Sequence, residues 1–174
     1  MHMAVADLFE ESIPSECQLI RDEACGGDQR IPLFLSKEKS RKTEYCDVDL
    51  LVLKDGKIRI IVEIEESHVD PTQVCGKYLT AALARYYIHG TRNDEPLEMH
   101  DSVTFIQILD SSKLKADKTS KFVQWENLEH SIRRILPVKG SHITNYRLFF
   151  GDESDFRDAE KSCSLVTCIK EACE

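Results

Sequence analysis

The sequence of 174 residues has no long apolar run. Its longest unbroken apolar runs, such as Leu50–Leu53, are only four residues; a membrane-spanning helix needs about 20, so no membrane span is expected. The first residues, Met1-His2-Met3-Ala4-Val5-Ala6-Asp7, have neither the basic start nor the apolar centre of a signal peptide. Met1-His2 ahead of Met3 reads as a cloning remnant. Glycine (7) and proline (5) are few, which excludes collagen-like and low-complexity chains. The 7 cysteines contain no C-x-x-C pair, so a zinc ribbon or finger is not expected. Their odd number and the absence of a secretion signal fit reduced, mostly buried thiols in a cytoplasmic protein. Positive charge is also scarce: 23 Lys and Arg stand against 31 Asp and Glu, a formal net charge of −8. A nucleic-acid binder usually carries a basic footprint, so this balance argues at first against such a partner.

What is present is an ordinary globular composition, 41% hydrophobic and 31% charged. The length fits one domain over 1–174 with a sizeable core. The acidity is concentrated at the two ends: residues 1–30 hold seven acids and two bases, and residues 151–174 seven acids and three bases. The intervening 31–150 holds 17 acids and 18 bases, so the charge objection does not reach the middle of the chain.

The pattern of elements predicts an α/β fold. Val5, Leu8, Phe9 and Ile13 form an apolar stripe on a helix over 4–13, ended by Pro14. Residues 17–35 are ambiguous, with a turn at Cys25-Gly26-Gly27-Asp28 and a short strand at 31–35. The polar, basic stretch 36–42 is an exposed loop. A strand over 47–53, the turn residues Asp55-Gly56 and a returning strand over 58–65 make a hairpin, because Asp-Gly suits a turn with two positive φ angles. Ile60, Ile61 and Val62 are consecutive, so both faces of the returning strand are expected to be buried. Asp70-Pro71 opens a helix that runs to about His89 with Gly90 as its stop. A strand at 103–109, a helix over 120–136, a strand at 146–150 and a last helix over 152–173 follow. The expected architecture is a single domain with a central mixed sheet flanked by helices.

Three carboxylates stand out. Glu63 and Glu65 share one face at the end of the buried strand, because strand side chains alternate. Asp49 begins the partner strand. A turn centred on Gly56 sets residue 49 opposite residue 63, which brings all three acids close. Such a cluster resists full ionisation and is relieved by water or by a cation. Mg²⁺ takes oxygen ligands and is usually held by one or two carboxylates plus substrate phosphate. The plainer alternative is a solvated acidic strand end.

This arrangement resembles the core of the PD-(D/E)xK nuclease superfamily, the restriction-endonuclease-like fold: Val48-Asp49, then Glu63, Ile64 and Glu65, on hairpin strands. The element order over roughly residues 4–110 is similar to that family's αβββαβ core. Val48 stands where the motif's loosely kept proline would be, and Glu65 where lysine is usual; some type II restriction enzymes carry glutamate there. The resemblance implies Asp49 and Glu63 as metal ligands, the Ile64 carbonyl as a further one, and Glu65 as general base or additional ligand. It implies Mg²⁺ or Mn²⁺ as cofactor, DNA as substrate, hydrolysis of phosphodiester bonds, and a homodimer if duplex DNA is cut. Glu65 adds negative charge where lysine would add positive, which raises the demand for cations. The alternatives are a catalytically inactive member that serves as a binding or assembly module, and an unrelated α/β domain.

Several other residues are open. Gln73 and Lys77 lie one turn apart on the helix after Glu65; a lysine there could supply the missing cation, or belong to an ordinary solvated face. Glu10 or Glu11 of the first helix could add an acid. Asp47 lies on the same strand face as Asp49 and competes with it for the ligand role. His68 reads as a loop histidine. Lys37, Lys39, Arg41 and Lys42, then Lys113, Lys115, Lys118 and Lys121, and Arg133 and Arg134, are candidate phosphate contacts.

Overall fold

The computed structural model describes residues 1–67, 69–114 and 118–174; His68 and Lys115 lie outside them. The elements are α1 (His2–Ser12), β1 (Cys17–Arg21), β2 (Pro32–Phe34), β3 (Glu44–Asp47), β4 (Leu50–Lys54), β5 (Lys57–Glu65), α2 (Pro71–Leu83), β6 (Tyr86–Tyr87), β7 (Leu97–Asp110), α3 (Thr119–Ile135), β8 (Ile143–Gly151), α4 (Glu153–Arg157) and α5 (Cys163–Cys173). The strands form one 8-stranded sheet in the order β1-β4-β5-β7-β6-β2-β3, with β8 also on β7. It is mixed: β4 is antiparallel to β1 and β5, whereas β5, β7 and β8 run parallel. Among the described residues no helix is long and apolar enough to cross a membrane.

Strand β5 is central, and its consecutive apolar residues divide between two cores. Ile61 packs with Leu51, Phe105, Val74, Tyr78, Ala81 and Trp125 on the side of α2 and α3. Ile60, Val62 and Ile64 pack with Val5, Phe9, Leu165 and Ile169 on the side of α1 and α5. Burial of apolar side chains on both faces fixes the register, since a one-residue slip would exchange the two sets. The hairpin turn holds Asp55 and Gly56 at φ 52° and 73°, as Asp-Gly requires. Asp70 caps α2 by accepting N–H bonds from Thr72 and Gln73, with Pro71 in the first turn.

Four expectations are corrected. The strand expected at 47–53 is two strands. Val48 N–H donates to Ile31 O while Asp49 N–H donates to Val62 O, so the chain crosses between sheet neighbours at Val48–Asp49. Helix α2 stops at Leu83 rather than near His89, because the sheet captures the residues after it. Arg85 N–H donates to Phe34 O, and Tyr86-Tyr87 pair with both β2 and β7. Strand β7 begins at Leu97, since its first residues pair with β6. The last helix is broken, because the Asp158 side chain accepts from the N–H groups of Glu160 and Lys161 and offers the backbone a turn in place of helix.

The 17–35 segment resolves into β1, β2 and the turn at Cys25–Asp28. Within that turn Gly27 N–H donates to Asp22 O at 2.7 Å. A Cβ on Gly27 would stand 2.0 Å from Arg21 O, a backbone atom that cannot swing aside. Gly27→Ala is therefore expected to destabilise by at least ~2 kcal/mol, read as a melting temperature lower by about 4 °C or more; an unchanged melt would contradict this packing. All seven cysteines are unpaired, with Cys163 exposed and the others at least half-buried.

Candidate metal centre

The three acids read from the sequence lie at the C-terminal end of β5 and the adjoining start of β4. Leu50 lies opposite Val62, so the next step outward sets Asp49 against Glu63, and Asp49 N–H donates to Val62 O at 3.1 Å. The Asp49 carbonyl accepts from Asp22 N–H at 2.9 Å. Its carboxylate Oδ2 accepts from Ile64 N–H at 2.6 Å. Asp49 thus extends the β4–β5 ladder with its side chain, which ties a carboxylate to the strand that carries Glu63 and Glu65. The Ile64 side chain is buried on the α1 side, so the two glutamates project to the α2 side.

There they meet Lys77. Its Nζ donates to Glu63 Oε1 and stands 3.5 Å from Glu65 Oε1. Of the two roles open to Lys77 from the sequence, the structure realises the one that faces the acids. Gln73, one turn earlier, lines the same surface cavity as Lys77. Glu63 is only 2% exposed, and its Oε2 has no hydrogen-bond partner among the described residues. None of the three acids is splayed into bulk solvent, since the Asp49 and Glu65 side chains are 17% and 14% exposed.

Burial dominates the electrostatics. It raises Glu63, with the Asp49 charge adding to it and Lys77 opposing, to about 8. Burial likewise lifts Asp49 to about 6, against the pull of the Ile64 N–H and His2. Partial burial works against the Lys77 ammonium, but Glu63, Glu65 and Asp49 outweigh it and raise its pKa. A cluster that holds a proton near neutrality is short of positive charge. When all are ionised, three carboxylates face one ammonium, which leaves two negative charges. Among the described residues no group of three His, Cys, Asp or Glu side chains is already arranged as a metal cage; at Glu63 and Glu65 the nearest cation is Lys77.

The remaining candidates divide. Glu10 is drawn to Arg21 at 3.2 Å, and Glu11 lines a separate cavity against Arg157, so neither acid of α1 joins the centre. Helix α1 instead brings His2, with Nε2 3.7 Å from Asp49 Oδ1 and Nδ1 3.1 Å from Glu66 Oε1. The sequence gives no sign of this, because the contact depends on where α1 docks. Asp47 ends β3 and is held by Arg30, apart from the ligand role considered for it. Lys37 and Lys39 pair with Glu98 and Asp94 at 2.8 and 2.6 Å, whereas Lys113 reaches Glu66 O at 3.1 Å, beside the acidic cluster. Arg133 lines a cavity with Arg147 on β8.

No family model, curated protein or solved structure matches the chain.

Proposed function

We propose that the chain is a Mg²⁺- or Mn²⁺-dependent deoxyribonuclease of the PD-(D/E)xK type, which hydrolyses phosphodiester bonds in DNA. The observation that carries this reading is Glu63: a carboxylate 2% exposed, with one oxygen unpartnered among the described residues, beside Asp49 and Glu65. An isolated buried carboxylate is costly, and the two uncompensated charges match one divalent ion. The donors are all oxygens, which suits Mg²⁺ or Mn²⁺. Asp49 and Glu63 would hold the ion, with Glu65 and the Ile64 carbonyl available to complete the set.

A divalent ion bound there lowers the pKa of a coordinated water and stabilises charge on the phosphoryl group. The protein's own residues do the rest. The Ile64 N–H fixes the Asp49 carboxylate, and the parallel pairing of β5 with β7 holds Glu63 rigid. In the metal-free protein Lys77 supplies positive charge beside Glu65. Lys113 offers a cation for a flanking phosphate. One such centre cuts one strand, so duplex scission calls for two copies of the chain.

The test is nicking of supercoiled plasmid by the purified protein with and without millimolar Mg²⁺. Metal-dependent nicking supports the reading; nicking that persists in EDTA would refute the centre. A second reading, a catalytically inactive binding or assembly module, is favoured by the Lys77 contact, which compensates part of the cluster's charge without metal. It is marked by DNA retention without cleavage at any Mg²⁺ or Mn²⁺ concentration.

A further inference from the structure

We infer that Lys77 is an internal counter-ion with two berths, one between Glu63 and Glu65 and the other at Asp47, and that a divalent cation competes with it for the first. The inference rests on the metal reading of the carboxylate cluster and concerns how loading of that centre is regulated.

In the first berth the ammonium touches Glu63 Oε1 and lies 3.5 Å from Glu65 Oε1. The acids are buried and the lysine is half-exposed: the Glu63 and Glu65 side chains are 3% and 14% exposed, whereas that of Lys77 is 40% exposed. A second place lies within reach. Lys77 lines an open cavity of about 380 Å³ together with Cys46, Asp47, Gln73 and Thr80. Asp47 presents a buried Oδ1 with no hydrogen-bond partner among the described residues, while its Oδ2 is held by Arg30. Gly76, on the same wall, leaves open space where a side chain would begin. Lys77 and Asp47 border the same cavity, and the Asp47 side chain is 43% exposed, so the second berth calls for rotation of the flexible lysine stem towards it.

Lys77 and a divalent ion would stand against the two oxygens of the same Glu63 carboxylate, and like charges a few Å apart repel. With Lys77 in the first berth, an incoming metal ion meets a partly neutralised cluster. With Lys77 at Asp47, the cluster regains its full charge, and Asp47 gains a partner for its orphaned oxygen. Lys77 therefore lowers the affinity for metal, and Asp47 raises it by giving Lys77 somewhere to go.

The test is a Mn²⁺ titration of the full chain, monitored by calorimetry and by loss of the electron paramagnetic resonance signal of free aqueous Mn²⁺. Lys77→Met is expected to tighten Mn²⁺ binding about tenfold, and Lys77→Arg to leave it near the wild-type value. Asp47→Asn is expected to weaken binding several-fold in the wild type and to have no effect in the Lys77→Met background, which separates this role from a direct metal ligand. Circular dichroism verifies folding, and Lys77→Gln replaces Lys77→Met if the latter does not fold. Equal affinity in the wild type and Lys77→Met, or an Asp47→Asn effect that survives Lys77→Met, would overturn the two-berth inference while the metal centre stands. Absence of Mn²⁺ binding in every variant would overturn the metal reading itself, and the inference with it.

Discussion

Glu63→Ala is expected to reduce Mg²⁺-dependent plasmid nicking by at least ~10³-fold, equivalent to roughly 4 kcal/mol of lost transition-state stabilisation. Glu63 is the most buried of the three acids, and its carboxylate accepts a hydrogen bond from Lys77 while its other oxygen has no partner among the described residues. Its removal takes away a proposed ligand and leaves Lys77 with Glu65. Asp49→Ala is expected to match it, because Asp49 is positioned through its own bond to Ile64 N–H. Glu65→Ala is expected to cost less, about 10- to 100-fold, since a residue that orients a neighbouring group typically contributes on that scale. Initial rates at saturating Mg²⁺ order the three. A Glu65→Ala loss larger than that of Glu63→Ala would reverse the assignment of ligand and supporting acid.

The second large effect is on stability and needs no substrate. Folding raises Glu63 from an ordinary glutamate value to about 8, and Asp49 to about 6, in both cases chiefly by burial. A carboxyl whose pKa rises on folding binds its proton more tightly in the native state, so its contribution to stability falls as pH climbs through the folded value. The metal-free protein is therefore expected to lose stability between about pH 5 and about pH 9, with Glu63 responsible for the upper part of the fall. Each pKa unit corresponds to about 1.4 kcal/mol, and the melting temperature is expected to drop by at least ~5 °C over that range. Glu63→Gln keeps the shape and removes the charge. It is expected to flatten the upper part of the profile and to melt higher than the wild type at about pH 9. Parallel profiles for the two proteins would contradict a buried Glu63 charge that Lys77 only partly offsets.

The sequence carried the hairpin because its signals were local. Asp55-Gly56 specifies the turn, and three consecutive apolar residues specify a strand buried on both faces. From these the placement of Asp49 against Glu63, and of Glu65 beside it, is reached by counting. What was not legible depended on tertiary capture. The helix over 71–83 has no strong stop signal; it ends where β2 and β7 take up Arg85 to Tyr87. The change of sheet partner at Val48–Asp49 turns on which carbonyl each N–H meets, Ile31 or Val62, and no pattern in a single sequence reveals it. Lys77 was visible as a helix residue that either supplied a cation to the acids or lay on a solvated face, and only the docking of α2 against β5 chose between the two. His2 had no signal at all. The opening charge objection is also narrower in the folded protein: Glu10 and Asp7 of the acidic first segment are turned to Arg21, and the acids of the middle segment include the proposed ligands.

The most direct measurement is the melting temperature of the wild type and Asp49→Ala at neutral pH, with and without Mn²⁺ or Mg²⁺. A ligand at 100 times its dissociation constant stabilises the native state by about 2.7 kcal/mol, which for a chain of this size is a rise of about 5 °C or more. The expected result is such a rise for the wild type and none for Asp49→Ala, with both proteins folded by circular dichroism. No rise in the wild type at millimolar metal, or an equal rise in Asp49→Ala, would contradict a cation site built on Asp49 and Glu63.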